Sequence, residues 1–218
     1  MDYDKPKARE TNHRALTIEE TKLFLDKAME MKCSYYWLFE FMLFSGVRVS
    51  EALALTWDDI DYRKKEIIIN KTVSRSSNKG YKVEKTPKTA SGNRRIPLTD
   101  DLNRILEEQR KKQRNLPIMS IDKRVFTSTL GKTANYNTVD VSIANIIRKI
   151  NQDSLVIEPF SSHAFRDTFA TRAMESGMNP NTLKEILGHS SIKITLDLYA
   201  HVMPNTKAVE MANVKIAG

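Results

Sequence analysis

Apolar and polar residues follow two different periods along the chain. Between about residues 16 and 57, and again beyond about residue 100, apolar residues recur every three or four positions, which is typical of amphipathic helices. The segments "KKEIIIN", "GYKVEKT" and "RRIPL" between them have the composition of short strands separated by polar turns. The pattern predicts an α+β, mostly helical fold with a small three-stranded antiparallel sheet inserted between helices. The first two strands are expected to flank the turn "SRSSNKG".

Several helix ends are marked by local residue types. Thr17 and Glu20 have the spacing of a capping box, which predicts a helix start at "TIEE". A second helix is predicted over residues 34–45 and ends at Gly46, because glycine readily adopts the left-handed conformation that follows many helices. A third helix follows in "RVSEALAL", and Gly188 is expected to end the helix that contains "NPNTLKEIL".

The stretch "EPFSSHAFRDTFATRAMESG" predicts a helix with polar residues on its apolar side. At about 100° per residue, His163 and Arg166 lie in the same arc as Phe169, whereas Thr168 and Thr171 lie in the opposite arc. Both polar side chains also lie in the first helical turn, where the helix dipole disfavours positive charge. An anionic partner is therefore predicted there, and a satisfied buried polar network is the alternative.

The composition excludes several classes of protein. The chain has 218 residues, of which 40% are hydrophobic, so it can bury a substantial core. Its 35 Lys and Arg against 27 Asp and Glu give a net charge of +8, which favours a polyanionic partner. Cys33 is the only cysteine, so neither an internal disulfide nor a cysteine-based zinc site is expected. The longest apolar run, "YYWLFEFMLFSGV", is interrupted by Glu40 and is too short to span a membrane.

The predicted sheet region carries an excess of positive charge. Between residues 71 and 99 the only acidic residue is Glu84. The basic residues are Lys71, Arg75, Lys79, Lys82, Lys85, Lys88, Arg94 and Arg95. Such a surface would contact the DNA backbone and position a duplex without reading its sequence. An ordinary solvated hairpin is the alternative.

Three further polar residues have ordinary structural explanations when each is taken alone. Arg48 lies in a break between helices and could pair with Glu51, His189 follows a helix-ending glycine, and Tyr199 lies among apolar residues. Together with Lys88, His163 and Arg166, these three residues have the chemistry of phosphoryl transfer. Arginines bind phosphate oxygens, histidine and lysine transfer protons, and tyrosine is a covalent nucleophile. Such a set needs no metal ion.

Four ordered motifs resemble the catalytic domain of tyrosine recombinases, the family of phage and conjugative-transposon integrases and their chromosome-dimer-resolving relatives. They are "FSGVRVSEALAL", "TPKTASGNRRIPL", "SSHAFRDTFATRAMESG" and "EILGHSSIKITLDLYAH", and they extend from residue 44 to residue 201. The resemblance implies a site-specific DNA recombinase or integrase that cleaves and rejoins DNA through a 3′-phosphotyrosyl intermediate.

The resemblance also implies a role for each matching residue in binding the substrate. Arg48 and Arg166 would clamp the scissile phosphate, with Glu51 as a supporting carboxylate behind the first arginine. His163 would be the general base or a phosphate ligand, and His189 would bind a non-bridging oxygen.

Two residues complete the implied reaction. Tyr199 would form the phosphotyrosyl bond, and Lys88 would protonate the leaving 5′ hydroxyl. Lys85 is a weaker substitute for Lys88, since it precedes the proline of "EKTPKTASG". The covalent bond retains the energy of the phosphodiester, so neither ATP nor a metal nor another cofactor is expected.

The resemblance further implies an organisation and a set of partners. The catalytic domain would be residues 16–203 and a C-terminal tail 204–218, whereas residues 1–15 are expected to be a flexible N-terminal tail or linker because they are charged and lack periodicity. The partners would be double-stranded DNA attachment sites, further copies of the chain in a synaptic tetramer, and accessory DNA-bending or excision factors. The expected location is the bacterial cytoplasm at the nucleoid, with no membrane. Family members usually add an N-terminal DNA-binding domain, so this chain alone is expected to bind DNA weakly.

Three other functions fit parts of the sequence. The stretch "TLKEILGHSSIKITLDLY" can form the helix-turn-helix of a non-catalytic DNA-binding regulator, although its second helix offers few long polar side chains to base edges. A type IB topoisomerase-like enzyme would share the tyrosine chemistry but relax supercoils without exchanging strands. A domain that keeps the fold without activity is the third alternative, and the six matching positions argue against it.

Overall fold

Helices before and after a group of short strands make up the described parts of the chain. The computed structural model describes residues 14–75, 81–85, 93–114, 123–127, 134–153 and 156–202, with side chains as far as residue 198. The helices in these ranges are α1 (Ile18–Glu30), α2 (Tyr36–Ser45), α3 (Val49–Ala54), α4 (Asp100–Arg114), α5 (Tyr136–Gln152), α6 (His163–Glu175), α7 (Pro180–Leu187) and α8 (Ile192–Val202). The strands are β1 (Ile60–Asp61), β2 (Glu66–Ile69), β3 (Lys71–Arg75), β4 (Tyr81–Lys85) and β5 (Arg94–Pro97). The predicted mostly helical α+β fold class is confirmed.

The predicted helix ends are found within two residues of their expected positions. Thr17 Oγ1 accepts a hydrogen bond from the backbone N–H of Glu20 at 3.1 Å, and the Glu20 carboxylate accepts one from the Thr17 N–H at 2.9 Å, which forms the predicted capping box. Gly46 and Gly188 follow α2 and α7 with φ of 64° and 67°. Local residue types therefore set these boundaries.

The strands pair differently from the prediction. The strand of "KKEIIIN" is β2, and it pairs with β1 and β5 in a three-stranded antiparallel sheet, with Ile67 opposite Ile96. β3 and β4 pair in a separate two-stranded antiparallel sheet with Val73 opposite Val83, and residues 76–80 of the predicted turn "SRSSNKG" lie outside the described residues. The expected pairing of β2 with β4 is wrong, because Ile67, Ile69 and Ile96 bury a common apolar face that β4 lacks.

α2 and α6 lie at the centre of the core. Phe24 of α1, Phe39 of α2 and Phe165 of α6 contact one another with ring centroids 5.3–5.5 Å apart. α6 is buried on almost every side, including the arc of Thr168 and Thr171 that was expected to oppose the apolar face. The Thr168 hydroxyl donates a hydrogen bond to the carbonyl of Ala164 in the same helix and accepts one from the backbone N–H of Leu16. No described helix combines the length and apolarity needed to cross a bilayer.

Replacement of Gly46 by alanine is expected to lower the free energy of unfolding by about 3 kcal/mol, because two penalties add. Its φ of 64° is strained for any residue with a Cβ, and that atom would lie 2.8 Å from Leu187 Cδ2 and closer still to Phe169. Gly177→Ala is the matched control, since Gly177 has a φ of 79° but no atom within 4 Å of its Cβ position. Urea unfolding measures both variants. Equal losses for the two would contradict the crowding at Gly46.

Candidate active site

Four of the predicted catalytic residues lie around one cleft of about 490 Å³. Its walls come from the N-terminal ends of α3 and α6, the C-terminal end of α7, and α8. The polar lining residues are Arg48, His163, Arg166, Asp167, His189 and Asp197, and the apolar ones are Ala170, Leu187, Ile194 and Leu198. The fold thus assembles two arginines and two histidines from three separate motifs.

Arg166 lies at the floor of the cleft, with 3% of its surface exposed. Its Nη1 donates to the carbonyl oxygen of Gly46 at 2.8 Å, and its Nη2 donates to that of Leu187 at 2.7 Å. These carbonyls belong to the C-terminal ends of α2 and α7, where the helix dipole concentrates partial negative charge. One planar guanidinium therefore joins two helix ends.

The two carbonyls offset the unfavourable position of the Arg166 cation in the first turn of α6, where the helix dipole is positive. An anionic partner was predicted there, and the backbone carbonyls of two other helices already provide negative potential. Burial lowers the pKa of Arg166 to about 9, and the charge of Arg48 acts in the same direction, so the guanidinium remains protonated at neutral pH. A guanidinium has five N–H groups, and these two bonds use two of them. Arg166 thus has both a structural contact and a surface toward the cleft.

Arg48 immediately precedes α3, and 41% of its side chain is exposed. Glu51, which is 5% exposed, accepts hydrogen bonds from the Arg48 backbone N–H at 2.9 Å and from its Nη1 at 3.1 Å. Burial alone would raise the pKa of Glu51, but the hydrogen bonds and charges of Arg94 and Arg48 hold it below its usual value. Glu51 is therefore ionised and in the position that its predicted supporting role requires.

Arg94 does not belong to the exposed basic surface that was predicted for the sheet region. Its side chain is 5% exposed, and Nη1 and Nη2 donate to the two carboxylate oxygens of Glu51 at 2.9 and 2.8 Å. Its Nε donates to the carbonyl oxygen of Ile186 at 2.7 Å. Side chains alternate along β5, so Arg94 and Ile96 lie inward and Arg95 outward. The prediction of a DNA contact by Arg94 is wrong, because its partners enclose the guanidinium.

His189 follows Gly188, the residue that ends α7. Its Nδ1 lies 2.9 Å from the hydroxyl oxygen of Thr195 on α8, and Thr195 is fully buried. Burial lowers the pKa of His189 to about 4, and the positive charges of Arg166 and Arg48 act in the same direction. The ring is therefore neutral at neutral pH, and it can bind a phosphate oxygen through an N–H donor.

His163 is the first residue of α6, at the rim of the cleft, and its side chain is 50% exposed. Its Nε2 lies 3.7 Å from Oδ1 of Asp167, one helical turn further along. The prediction that His163 lies on a buried apolar face is wrong, because the helix begins at this residue and leaves it at an open end. Its exposure makes the ring accessible to a substrate in the cleft.

Three predicted residues fall wholly or partly outside the described structure. The backbone of Tyr199 lies in α8, directly after the cleft residues Asp197 and Leu198, and its side chain is outside the described residues. Lys88 and Lys79 also lie outside the described residues. Their roles remain predictions.

The other basic residues of the sheet region divide between surfaces. On the hairpin of β3 and β4, Lys71, Arg75 and Lys85 share the side of the buried Val73, whereas Lys82 lies on the opposite side. They therefore do not form one continuous face.

Three of these side chains have acidic partners. The pairs are Lys71 with Asp59 at 2.6 Å, Lys82 with Glu84 at 2.5 Å and Arg95 with Glu66 at 2.6 Å. The side chain of Lys71 is also mostly buried, which reduces its availability to DNA. DNA contact by Arg75, Lys82, Lys85 and Arg95 remains a prediction.

Three polar residues at the site were not predicted from the sequence: Asp167 and Asp197 line the cleft, and Thr195 contacts His189 from α8. Thr195 stands six residues after His189 among apolar residues, so the sequence carried no signal for its contact with the ring. Asp167 stands four residues after His163, and this spacing, which brings helical side chains together, was the available signal. Among the described residues, no group of three or more His, Cys, Asp and Glu side chains could hold a metal ion.

Residues 14–206 match the phage integrase family. This range contains all four sequence motifs and every residue that lines the cleft. The chain belongs to the phage integrase family. The resemblance to tyrosine recombinases that the motifs indicated is therefore confirmed.

Relatives match most of the chain. A tyrosine recombinase XerC-like protein of Caldanaerobacter subterraneus subsp. tengcongensis is 36% identical over 188 residues, which cover 78% of this chain and 46% of that protein. The transposase from transposon Tn916 of Enterococcus faecalis is 30% identical over 200 residues, which cover 88% of this chain and 48% of the transposase. The chain therefore spans about half the length of these relatives.

Solved structures of integrases have the same fold. The Tn1549 transposon integrase in complex with a circular intermediate DNA superposes with a TM-score of 0.82 at 27% identity, covering 96% of this chain and 68% of that chain. The same integrase in complex with transposon right end DNA also gives a TM-score of 0.82 at 27% identity, covering 95% and 68%. The chain therefore has the catalytic-domain fold of tyrosine recombinases.

Replacement of Arg166 by lysine is expected to lower the free energy of unfolding by about 3 kcal/mol, because one ammonium cannot reach both helix-end carbonyls. Arg172→Lys is the matched control on the same helix, since Arg172 is partly exposed, pairs with Glu175 and donates to only one backbone carbonyl, that of Leu16. That variant should lose less than about 1 kcal/mol. Urea unfolding measures both, and a similar loss for the two would contradict the role of Arg166 at the helix junction.

Acidification is expected to destabilise the fold through His189. Its pKa falls from the ordinary value of 6.5 to about 4 in the folded chain, so the unfolded chain binds this proton first as the pH decreases. The stability that wild type gains over His189→Asn should therefore shrink as the pH falls from 6.5 to about 4. Urea unfolding of both proteins at a series of pH values measures this difference, and a constant difference across the window would contradict the burial of a neutral ring.

Proposed function

We propose that the chain is the catalytic part of a site-specific DNA recombinase that cleaves and rejoins DNA through a 3′-phosphotyrosyl bond. The observation that carries this proposal is the convergence of Arg48, His163, Arg166 and His189 on one cleft, beside the helix whose backbone includes Tyr199. Membership of the phage integrase family supports the same conclusion. The substrate is a DNA phosphodiester.

The two arginines bind the scissile phosphate from different depths. Arg48 lies at the half-exposed mouth of the cleft and Arg166 at its floor, so a phosphate group can be held between them. A guanidinium binds the non-bridging oxygens more strongly as they gain charge in the transition state. Preorganised positive charge of this kind accelerates cleavage without a proton transfer of its own.

The two histidines have different tasks. His189 is neutral, and when the Thr195 hydroxyl donates to Nδ1, its Nε2 carries the proton that binds a non-bridging oxygen. His163 is exposed at the rim of the cleft, where a substrate can reach its ring. His163 is therefore the general base or a second phosphate ligand.

The covalent step exchanges one phosphate ester for another. The phenolic oxygen of Tyr199 attacks the phosphorus, the bond from phosphorus to the 5′ oxygen breaks, His163 takes the phenolic proton, and Lys88 protonates the departing oxygen. Attack by a 5′ hydroxyl on the phosphotyrosine reverses the step and joins the strands. One phosphate ester bond is broken for each one formed, so the reaction requires no ATP.

The proposed partners follow from the reaction. Double-stranded DNA supplies the phosphodiester, and both Tn1549 integrase structures are complexes with DNA. Strand exchange between two duplexes requires four cleavages, which four copies of the chain in a synaptic tetramer provide. Accessory DNA-bending or excision factors and the bacterial nucleoid remain the proposed context.

Covalent capture on DNA tests the reaction. The chain is incubated in EDTA with a pool of short nicked duplexes of randomised sequence, from which the leaving strand diffuses away after cleavage. A protein–DNA adduct that survives denaturation and disappears in Tyr199→Phe is expected. Tyr62→Phe is the matched control, since Tyr62 is exposed and outside the cleft. Sequencing of the captured strands then identifies the preferred duplex.

Other outcomes point to the alternative functions. Sequence-selective binding with no adduct would indicate a non-catalytic regulator. Relaxation of a supercoiled plasmid without exchange between two copies of the captured duplex would indicate a topoisomerase-like enzyme. Strand exchange between those duplexes is the result that supports a recombinase.

A further inference from the structure

We infer that Arg94 is a positioning residue for catalysis, which places Arg48 through Glu51 and His189 through the C-terminal end of α7. This inference depends on the proposed function, because its effect is on DNA cleavage. Arg94 itself does not line the cleft, so it acts only through these intermediates.

The first connection runs from β5 to the mouth of the cleft. Arg94 binds both carboxylate oxygens of Glu51, and the same two oxygens accept the hydrogen bonds from the backbone and Nη1 of Arg48. Both members of the Arg94 and Glu51 pair are 5% exposed, so no bulk solvent weakens the contact. The bidentate geometry fixes the carboxylate in rotation as well as position. Arg48, which is only partly buried, thus receives a fixed partner.

The second connection runs from the same guanidinium to the other side of the cleft. Nε of Arg94 donates to the carbonyl of Ile186, in the last turn of α7, at 2.7 Å. The next carbonyl, that of Leu187, accepts from Arg166. His189 follows two residues later. Arg94 and Arg166 therefore hold adjacent carbonyls of the helix end from which His189 extends.

A second buried arginine that bonds to α3 provides a comparison. Arg124 is also buried, and its Nη1 donates to the carbonyl of Leu53 near the C-terminal end of α3 at 3.1 Å. Arg124 contacts the same helix as Arg94 but does not line the cleft or bond to Glu51. A general loss of stability at α3 should therefore follow from either substitution, and a loss of positioning only from that of Arg94.

The test compares Arg94→Lys with Arg124→Lys on the captured duplex. Lysine keeps the charge but cannot bond both carboxylate oxygens and the Ile186 carbonyl together. At saturating DNA and below the melting temperature of each variant, Arg94→Lys should cleave about 100-fold more slowly than wild type, because a displaced phosphate-binding group loses transition-state contacts. Its affinity for uncut duplex should change little. Arg124→Lys should cleave at the wild-type rate per folded molecule.

The pH dependence of the cleavage rate is a second measurement, and a mere loss of stability would not change it. The charged groups that act on Glu51 are Arg48 from its own helix, Arg94 from β5 and Arg166 from α6. Without Arg94, burial raises the pKa of Glu51, and the protonated carboxyl no longer holds Arg48. The cleavage rate of Arg94→Met should therefore rise with pH over a range in which the Glu51 carboxyl of the wild type is already fully ionised. Adding Glu51→Gln to that variant should remove the extra pH dependence.

The outcomes separate this inference from the proposed function. If wild type forms a DNA adduct and Arg94→Lys forms it at the same rate, the positioning role is overturned and the proposed function stands. If Arg94→Lys and Arg124→Lys slow cleavage equally, the positioning role is also overturned and the proposed function stands. A wild-type chain that forms no adduct with any duplex overturns both. A selective loss in Arg94→Lys, with the altered pH profile of Arg94→Met, supports the positioning role.

Discussion

The C-terminal ends of α2 and α7 meet at one buried guanidinium, and the geometry of the cleft depends on this junction. Arg166 donates to the carbonyls of Gly46 and Leu187, each at the end of its helix. If either helix moved, a buried cation and a buried carbonyl would lose their partners together, which is costly in a dry core. The junction therefore fixes α6, which carries His163, against α7, from which His189 extends.

A second guanidinium extends this arrangement to α3 and the sheet. Arg94 binds Glu51 and the carbonyl of Ile186, so the two sides of the cleft share one buried ionic contact. Helix-end carbonyls and one carboxylate thus stabilise three arginines, two of which line the cleft. Positive charge held in place by the fold needs no reorganisation during the reaction, which is the main advantage of a preorganised site in phosphoryl transfer.

Sequence reasoning succeeded where the signal was local or repeated in a fixed order. The capping box of Thr17 and the helix stops at Gly46 and Gly188 were predicted correctly, because each depends on hydrogen bonds and backbone sterics within a few residues. The resemblance carried by the ordered motifs predicted that Arg48, His163, Arg166 and His189 share one site, and these four line the cleft. Strand pairing was not predicted correctly, because β2 can pair with either neighbour locally, and only burial of its apolar face with that of β5 decides between them.

The sequence by itself determined the helix boundaries, the fold class and the family, and it placed Arg48, Arg166 and both histidines in one site. Only the tertiary structure decided what each cation does. Arg94 and Arg95 are adjacent and chemically identical, yet strand alternation turns one inward to Glu51 and the other toward solvent. The physical reason is range: caps and turns are fixed by neighbouring atoms, whereas the desolvation and pairing of a charge depend on groups that meet only after the chain has folded.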